Sequence, residues 1–114
     1  MNKVPKDDLE FLEHIIEAID LIEGYTKNVR KEDFIKNNEK HDAVVRELTI
    51  MGEAAKKISE SFKSENPSIE WKKLSGIRDV IVHQYFRLNL SLIWEIVQSD
   101  LSGIKEKLKP LLKD

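Results

Sequence analysis

The chain of 114 residues contains no cysteine, only three prolines and four glycines, and no long apolar run. Without cysteine it has no disulfide, no thiolate metal site and no cysteine nucleophile. No apolar segment approaches the roughly 20 residues that a transmembrane helix needs, and residues 1–8 lack the apolar core of a signal peptide. We therefore expect a soluble, cytoplasmic protein.

The size and charge of the chain indicate one small globular domain. We expect a single domain over residues 1–114, with a core small enough that a homodimer would help to stabilise it. The formal net charge is only -2, so overall charge does not indicate a nucleic-acid-binding protein. Its distribution is uneven, however. Residues 1–30 contain four basic and seven acidic residues, whereas residues 71–87 contain four basic residues and one acidic residue.

Apolar residues recur at helical spacing in three long segments. The first follows the possible N-cap residues Asp7 and Asp8, and it has a second, weaker apolar stripe that predicts contact with two neighbouring elements. The second follows a possible cap at Asp42, and the third follows Asn89. Their main stripes are, in order, Leu9, Leu12, Ile15, Ile16, Ile19 and Ile22; Val44, Leu48, Met51, Ala55, Ile58 and Phe62; and Leu90, Ile93, Val97, Leu101, Ile104, Leu108 and Leu111.

The segments between these helices are shorter and more polar. Residues 27–38 are expected to be rich in loops, and Asn66-Pro67-Ser68 breaks the chain. Residues 77–83 predict a short helix, because no partner for a strand occurs elsewhere. Gly52, inside the second apolar seam, is typical of a close approach between helices. The fold class is therefore all-α: an up-and-down helical bundle of three main helices and one short motif helix.

The most informative segment is residues 78–85, Arg-Asp-Val-Ile-Val-His-Gln-Tyr. Cleavage of RNA without a metal requires proton transfer and stabilisation of the charge that grows on the phosphoryl oxygens. His83 could transfer the proton as a general acid or base. The guanidinium of Arg78 could donate two parallel hydrogen bonds to the phosphate. An arginine and a histidine five positions apart also occur by chance in many proteins, so the spacing alone is weak evidence.

Helical geometry adds a condition. Five helical steps turn about 140°, so Arg78 and His83 would not share a face of a regular helix, whereas Asp79 and His83 would. Asp79 could therefore orient the imidazole. For Arg78 to act at the same site, its long side chain would have to reach round the helix, or the helix would have to distort or end near His83. A homodimer with two motifs across one cleft would supply separate acid and base histidines.

Other candidate residues have plainer explanations. His14 shares a face with Glu10 and Glu17, but no matching ligand cluster occurs on another helix, so we predict no metal site. His41 is expected to be exposed, and Trp71 and Trp94 are expected to anchor the core. Five residues could support an RNA site or simply face solvent: Lys72, Lys73 and Arg87 as contacts to the RNA backbone, and Glu53 and Arg46 as supporting residues.

The chain resembles a known family at several of these positions. Arg78, His83 and Tyr85 at their spacing resemble the signature of the HepT-like toxins, in the HEPN superfamily of helical ribonucleases. Residues 42–46 with 52–55 resemble the family's second helix, residues 69–79 resemble its approach to the motif, and residues 83–86 with Trp94 fit its final helix. The resemblance covers essentially the whole chain. The family more often has asparagine where this chain has Asp79.

The resemblance implies a function in some detail. It implies a homodimeric, metal-independent endoribonuclease toxin without a cofactor. It also implies an MntA-like nucleotidyltransferase antitoxin that silences the toxin by attaching AMP to the motif tyrosine, which is Tyr85 here. AMP near His83 would add bulk and negative charge, block RNA and compete for Arg78. The main alternative is a helical partner subunit that docks a nucleotidyltransferase and holds a nucleotide or substrate without cleaving anything.

Overall fold

The computed structural model describes residues 4–82 and 88–112, and these residues are almost entirely helical. Within them the only β-type pairing is an isolated antiparallel bridge between Val82 and Leu88. None of the described helices is long and apolar enough to cross a membrane. The elements are α1 (Lys6–Thr26), α2 (Lys31–Lys36), α3 (Asn38–Lys57), α4 (Glu60–Glu65), α5 (Trp71–Ser75), α6 (Ile77–Ile81), α7 (Leu90–Ser99), α8 (Leu101–Leu108) and a closing 3-10 turn (Lys109–Leu112).

The long helices α1 and α3 form the centre of the molecule. Each carries the apolar stripe that the sequence predicts, because residues three and four apart project from the same face of a helix. Burial of these stripes against each other, with apolar residues from the shorter helices, makes one continuous core. All six residues of the second predicted seam are buried, with exposed fractions between 0 and 5%. The all-α fold class is therefore confirmed.

Several helix boundaries differ from the prediction. Helix α1 begins at Lys6, so the possible N-cap residues Asp7 and Asp8 lie inside its first turn. Helix α3 begins four residues before the expected cap at Asp42, because the Asn37 side chain accepts a hydrogen bond from Lys40 N at 2.9 Å. The second seam spans two helices, since the chain is extended at Ile58 and Ser59 and α4 starts there. The third predicted helix is divided at Asp100, where φ is -104°.

Buried aromatic packing explains two further corrections. The sequence predicts that residues 27–38 are rich in loops, but they include the short helix α2. Phe34 anchors this helix, because its side chain is fully buried and its ring centre lies 5.2 Å from that of Trp94. His41 is 7% exposed rather than solvent-facing. Its ring packs edge-on against Phe34, and its Nε2 lies 3.0 Å from Asn38 Oδ1. His41 lies three residues before Val44 and so shares the buried face of α3. Sequence reasoning missed this because it placed His41 before the start of the helix.

Polar contacts connect α1 to two later elements. Asp8 is buried, and its carboxylate accepts hydrogen bonds from Ser59 N at 2.8 Å and Ser59 Oγ at 2.6 Å. These bonds fix the start of α4 against the start of α1. Near the other end of α1, Asp20 and Glu23 bind the ammonium group of Lys105 on α8, and they raise the pKa of Lys105 above its usual range.

Candidate active site

The predicted motif begins in an elbow formed by α5 and α6. Trp71 is buried at the start of α5, and its indole Nε1 donates a hydrogen bond to Asn66 O at 3.0 Å. Leu74 is also buried, and Gly76 N donates to Lys72 O where α5 ends. The chain then turns directly into α6. The elbow is therefore held to the core by large apolar side chains on both of its helices.

Helix α6 presents its charged residues to solvent. Ile77 is 5% exposed and Ile81 is fully buried, so the helix packs through this pair. The intervening Arg78 and Asp79 are exposed, and the side chain of Val80 is exposed as well. Because residues 77 and 81 are one turn apart, the three residues between them face away from the core. Arg78 consequently stands on the solvent side of a well-anchored short helix.

Within residues 4–82 and 88–112, neither Arg78 nor Asp79 makes a side-chain hydrogen bond or an ion pair. By contrast, the exposed Arg30 pairs with Asp33 at 3.4 Å and Arg46 pairs with Glu47 at 3.2 Å. A guanidinium without a carboxylate partner keeps its donors for another anion, and a phosphate group fits its planar geometry. Arg78 therefore has the position and the chemistry of a phosphate-binding residue.

The helix that carries Arg78 ends at Ile81. Val82 is extended, with φ -103° and ψ 119°, and it forms the antiparallel bridge with Leu88. The backbone N–H of Asn89 donates to Ile81 O at 2.8 Å, and the Asn89 side chain accepts from Leu92 N at 3.1 Å to cap α7. We call this set of contacts, made by Ile81, Val82, Leu88 and Asn89, the clasp. The clasp holds residues 81–82, which precede the segment 83–87, against residues 88–89, which follow it.

His83, Tyr85 and Arg87 lie outside the described residues, so their predicted roles remain predictions. Helix α6 ends at Ile81, two residues before His83. An end of the helix near His83 is one of the ways in which Arg78 and His83 could act at the same site. The end at Ile81 also removes the geometric basis for pairing Asp79 with His83, because that pairing assumes a helix that continues to residue 83.

The weaker candidates are mostly engaged elsewhere. Lys73 lies 3.2 Å from Asp100, and Glu53 pairs with Lys56 at 3.1 Å. In the described part of the chain Glu53 makes no contact of this kind with Arg78, and Lys72 is exposed without an ion pair. Arg46 is likewise held by its pair with Glu47. Of the predicted RNA-backbone contacts within this part, Lys72 is the one whose charge is uncommitted.

The predicted absence of a metal site rests on the sequence. The described residues contain no group of three or more metal-ligating side chains, and His14 is exposed on α1.

Sequence reasoning missed the clasp, although the expected cap at Asn89 is confirmed. Two single residues that pair across a gap produce no periodic pattern, so no sequence signal could have revealed the bridge between Val82 and Leu88.

Comparisons with known proteins point to one family. A family model described as "Ribonuclease HepT-like" matches residues 15–111. A protein of Thermococcus cleftensis named "Probable ribonuclease HepT" is 38% identical over 91% of this chain and 94% of its own length. A "Putative RNase" of Methanocaldococcus jannaschii is 39% identical over 97% of this chain and 93% of its own length.

A longer protein of Methanocaldococcus jannaschii is also similar. It is named "Gamma-glutamylcyclotransferase and putative RNase", and it is 37% identical over 96% of this chain. This chain spans about half of that protein, 49% of its length. No solved structure matches the chain.

Proposed function

The chain belongs to the HepT-like ribonuclease family, and we propose that it is the toxin of a toxin–antitoxin system, an endoribonuclease that needs no metal ion. The observation that carries the proposal is the state of Arg78, which is exposed on a short helix anchored by Ile77 and Ile81 and which makes no ion pair with the residues that the structure describes. A phosphate-binding arginine and a proton-transferring histidine, such as Arg78 and His83 five positions apart in the sequence, are groups that phosphodiester cleavage requires. RNA is the substrate, and the cytoplasm is the compartment that we expect.

In the proposed reaction the ribose 2′-hydroxyl attacks the adjacent phosphorus, and the bond to the 5′-oxygen breaks. His83 moves the proton, as the base toward the 2′-hydroxyl or as the acid toward the leaving oxygen. Arg78 binds the phosphoryl oxygens and stabilises the charge that grows on them in the transition state. Asp79 is exposed next to Arg78, and it adds a negative charge beside this site.

The test is cleavage of RNA by the purified protein in the presence of a chelator. The wild-type chain should cleave single-stranded RNA, and His83→Ala should lose most of the activity, since general acid/base catalysis contributes about 10²- to 10⁴-fold. His14→Ala is a matched control, because His14 is an exposed histidine on α1. If the wild type and His83→Ala are both inert while nucleotide binding persists, the chain is a binding subunit and the ribonuclease proposal fails.

We propose that the active unit is a homodimer with two motifs across one cleft. Two chains would supply two histidines, one for each proton transfer, whereas a single motif contains one. The side chain of Val80 is exposed beside Arg78 and Asp79. A partner chain that covers Val80 would remove apolar area from water close to Arg78.

We further propose that an MntA-like nucleotidyltransferase antitoxin silences the site by attaching AMP to Tyr85. The added phosphate would lie two residues from His83, and it would compete with RNA for the guanidinium of Arg78. Co-expression with such an enzyme should add AMP mass to the chain, as read by mass spectrometry. The chain has two tyrosines, so Tyr25→Phe is the matched control and should still be modified. An AMP adduct that persists in Tyr85→Phe would contradict the assignment.

A further inference from the structure

We propose that Gly52, in the middle of α3, is a positioning residue for Arg78. Its missing side chain allows the elbow between α5 and α6 to rest directly on α3, and this contact sets where Arg78 stands. The inference rests on the proposed function, in which Arg78 binds the scissile phosphate. It assigns a role in that reaction to a residue that does not touch the substrate.

The space around Gly52 is closed by the elbow. A Cβ atom added at Gly52 would lie 3.3 Å from Ile77 Cγ2, 3.3 Å from Leu74 O and 3.6 Å from Ser75 O. The distance to Ser75 O is an ordinary van der Waals contact, but the other two are tighter than usual. Leu74 O is a backbone atom, which cannot rotate away as the end of a flexible side chain can. Ile77 Cγ2 is on a β-branched side chain, whose χ1 is restricted. An alanine here would therefore have to move the elbow itself, by a few tenths of an ångström.

A displacement of the elbow is passed on to Arg78. Ile77 precedes Arg78 in the five-residue helix α6, which is too short to bend independently of its first residue. Trp71 and Leu74 anchor α5 in the core, so α5 and α6 have to shift together relative to α3. Catalysis is sensitive to such shifts, since a misplacement of 1 Å can cost about 10²-fold in rate.

Two other glycines provide matched controls. Gly24 in α1 and Gly103 in α8 are also in helices, and a Cβ added at either would meet no atom within 4 Å. Replacing them with alanine gains helix propensity without a clash. Gly52→Ala gains the same propensity but has to displace the elbow. The three variants thus separate the effect of helix propensity from the effect of contact with the elbow.

The experiment measures kcat and KM for RNA cleavage and the thermal midpoint of Gly52→Ala, Gly24→Ala and Gly103→Ala. We expect kcat of Gly52→Ala to fall about tenfold with a smaller change in KM, because a small shift of Arg78 weakens its fit to the transition state. The two controls should keep the wild-type kcat. Equal kcat values in all three variants would overturn the proposal.

A second variant probes the same contact from the elbow. Ile77→Leu keeps the side-chain volume but removes the Cγ2 methyl group that faces Gly52. The double variant Gly52→Ala/Ile77→Leu should lose less kcat than the product of the single losses, because part of the clash has been removed. If Gly52→Ala does not fold, the double variant decides: the added Cβ still lies 3.3 Å from Leu74 O, so a wild-type kcat in Gly52→Ala/Ile77→Leu contradicts the proposal.

Crystal structures of Gly52→Ala and the wild type give a measurement that does not depend on activity. After superposition on α1, Arg78 Cα should be displaced in Gly52→Ala, and an unmoved Arg78 would refute the positioning role. If the wild type cleaves no RNA, the proposed function fails, while this displacement still decides whether Gly52 sets the position of Arg78.

Discussion

Arg78 differs from the other described arginines because its guanidinium makes no ion pair with the described residues. Arg30 and Arg46 each lie beside a carboxylate of their own helix. Such exposed pairs contribute little to stability, typically below about 1 kcal/mol, but they occupy the donors of the guanidinium. Arg78 has no such partner in the described part of the chain, and its neighbours Asp79 and Val80 are exposed with it. Its exposure therefore favours a role in binding over a role in holding the fold.

Replacing Arg78 with lysine should separate charge from geometry. Lysine keeps the positive charge but cannot donate two parallel hydrogen bonds to one phosphate. We expect Arg78→Lys to lower kcat for RNA cleavage by about 10²-fold, the usual effect of removing one donor to a developing oxyanion. Arg30→Lys, at another exposed arginine, should cleave RNA as the wild type does. Similar activity in the two variants would show that Arg78 supplies only charge.

At the scale of elements, the two contacts that support the motif are the elbow on α3 and the clasp. The clasp consists of one hydrogen bond from Asn89 N to Ile81 O and one bridge between Val82 and Leu88, and it joins the residues on either side of 83–87. Asn89 belongs both to this clasp and to the start of α7, which it caps. A change that loosens the start of α7 should therefore also loosen the clasp beside the segment that contains His83 and Tyr85.

Two asparagine caps allow this coupling to be measured. Asn89 caps α7 beside the clasp, whereas Asn37 caps α3 in the same way, with its side chain accepting from Lys40 N. Replacing either with alanine should cost about 1 kcal/mol of stability. We expect only Asn89→Ala to lower kcat, by about tenfold, through disorder introduced next to the catalytic segment. The readouts are chemical unfolding and RNA cleavage, and equal cleavage by the two variants would argue against the coupling.

Most elements could be predicted from the sequence, because helical periodicity reports the face that a helix buries. The seam from Val44 to Phe62 is an example, since every one of its residues is buried. The same regularity concealed the break at Ser59, where a hydrogen bond to Asp8, 51 residues away, ends the helix. The clasp and the burial of His41 were equally hidden. The clasp depends on contacts between residues that share no helical period, whereas His41 extends the seam by one step of three before Val44, and its polar side chain gave no sign of burial.

At the scale of the whole molecule, we propose that a second chain completes the site. The core of α1 and α3 is continuous, and the elbow, clasp and Arg78 lie on shorter elements packed around it. One motif contains one histidine and one arginine, whereas cleavage uses a proton acceptor, a proton donor and a phosphate-binding group. A symmetric pair of chains would present the same surface twice and bring two motifs together.

Complementation between two inactive variants tests this assembly. Arg78→Ala and His83→Ala should each be inactive alone. If Arg78 of one chain acts with His83 of the other, a mixture that has been unfolded and refolded together should recover part of the wild-type activity, because mixed dimers contain one intact pair across the interface. Light scattering should give the mass of a dimer for all three samples. A monomer that cleaves RNA would contradict the two-chain site. A mixture of dimers that stays inactive would show that one Arg78 and one His83 from different chains are not sufficient for cleavage.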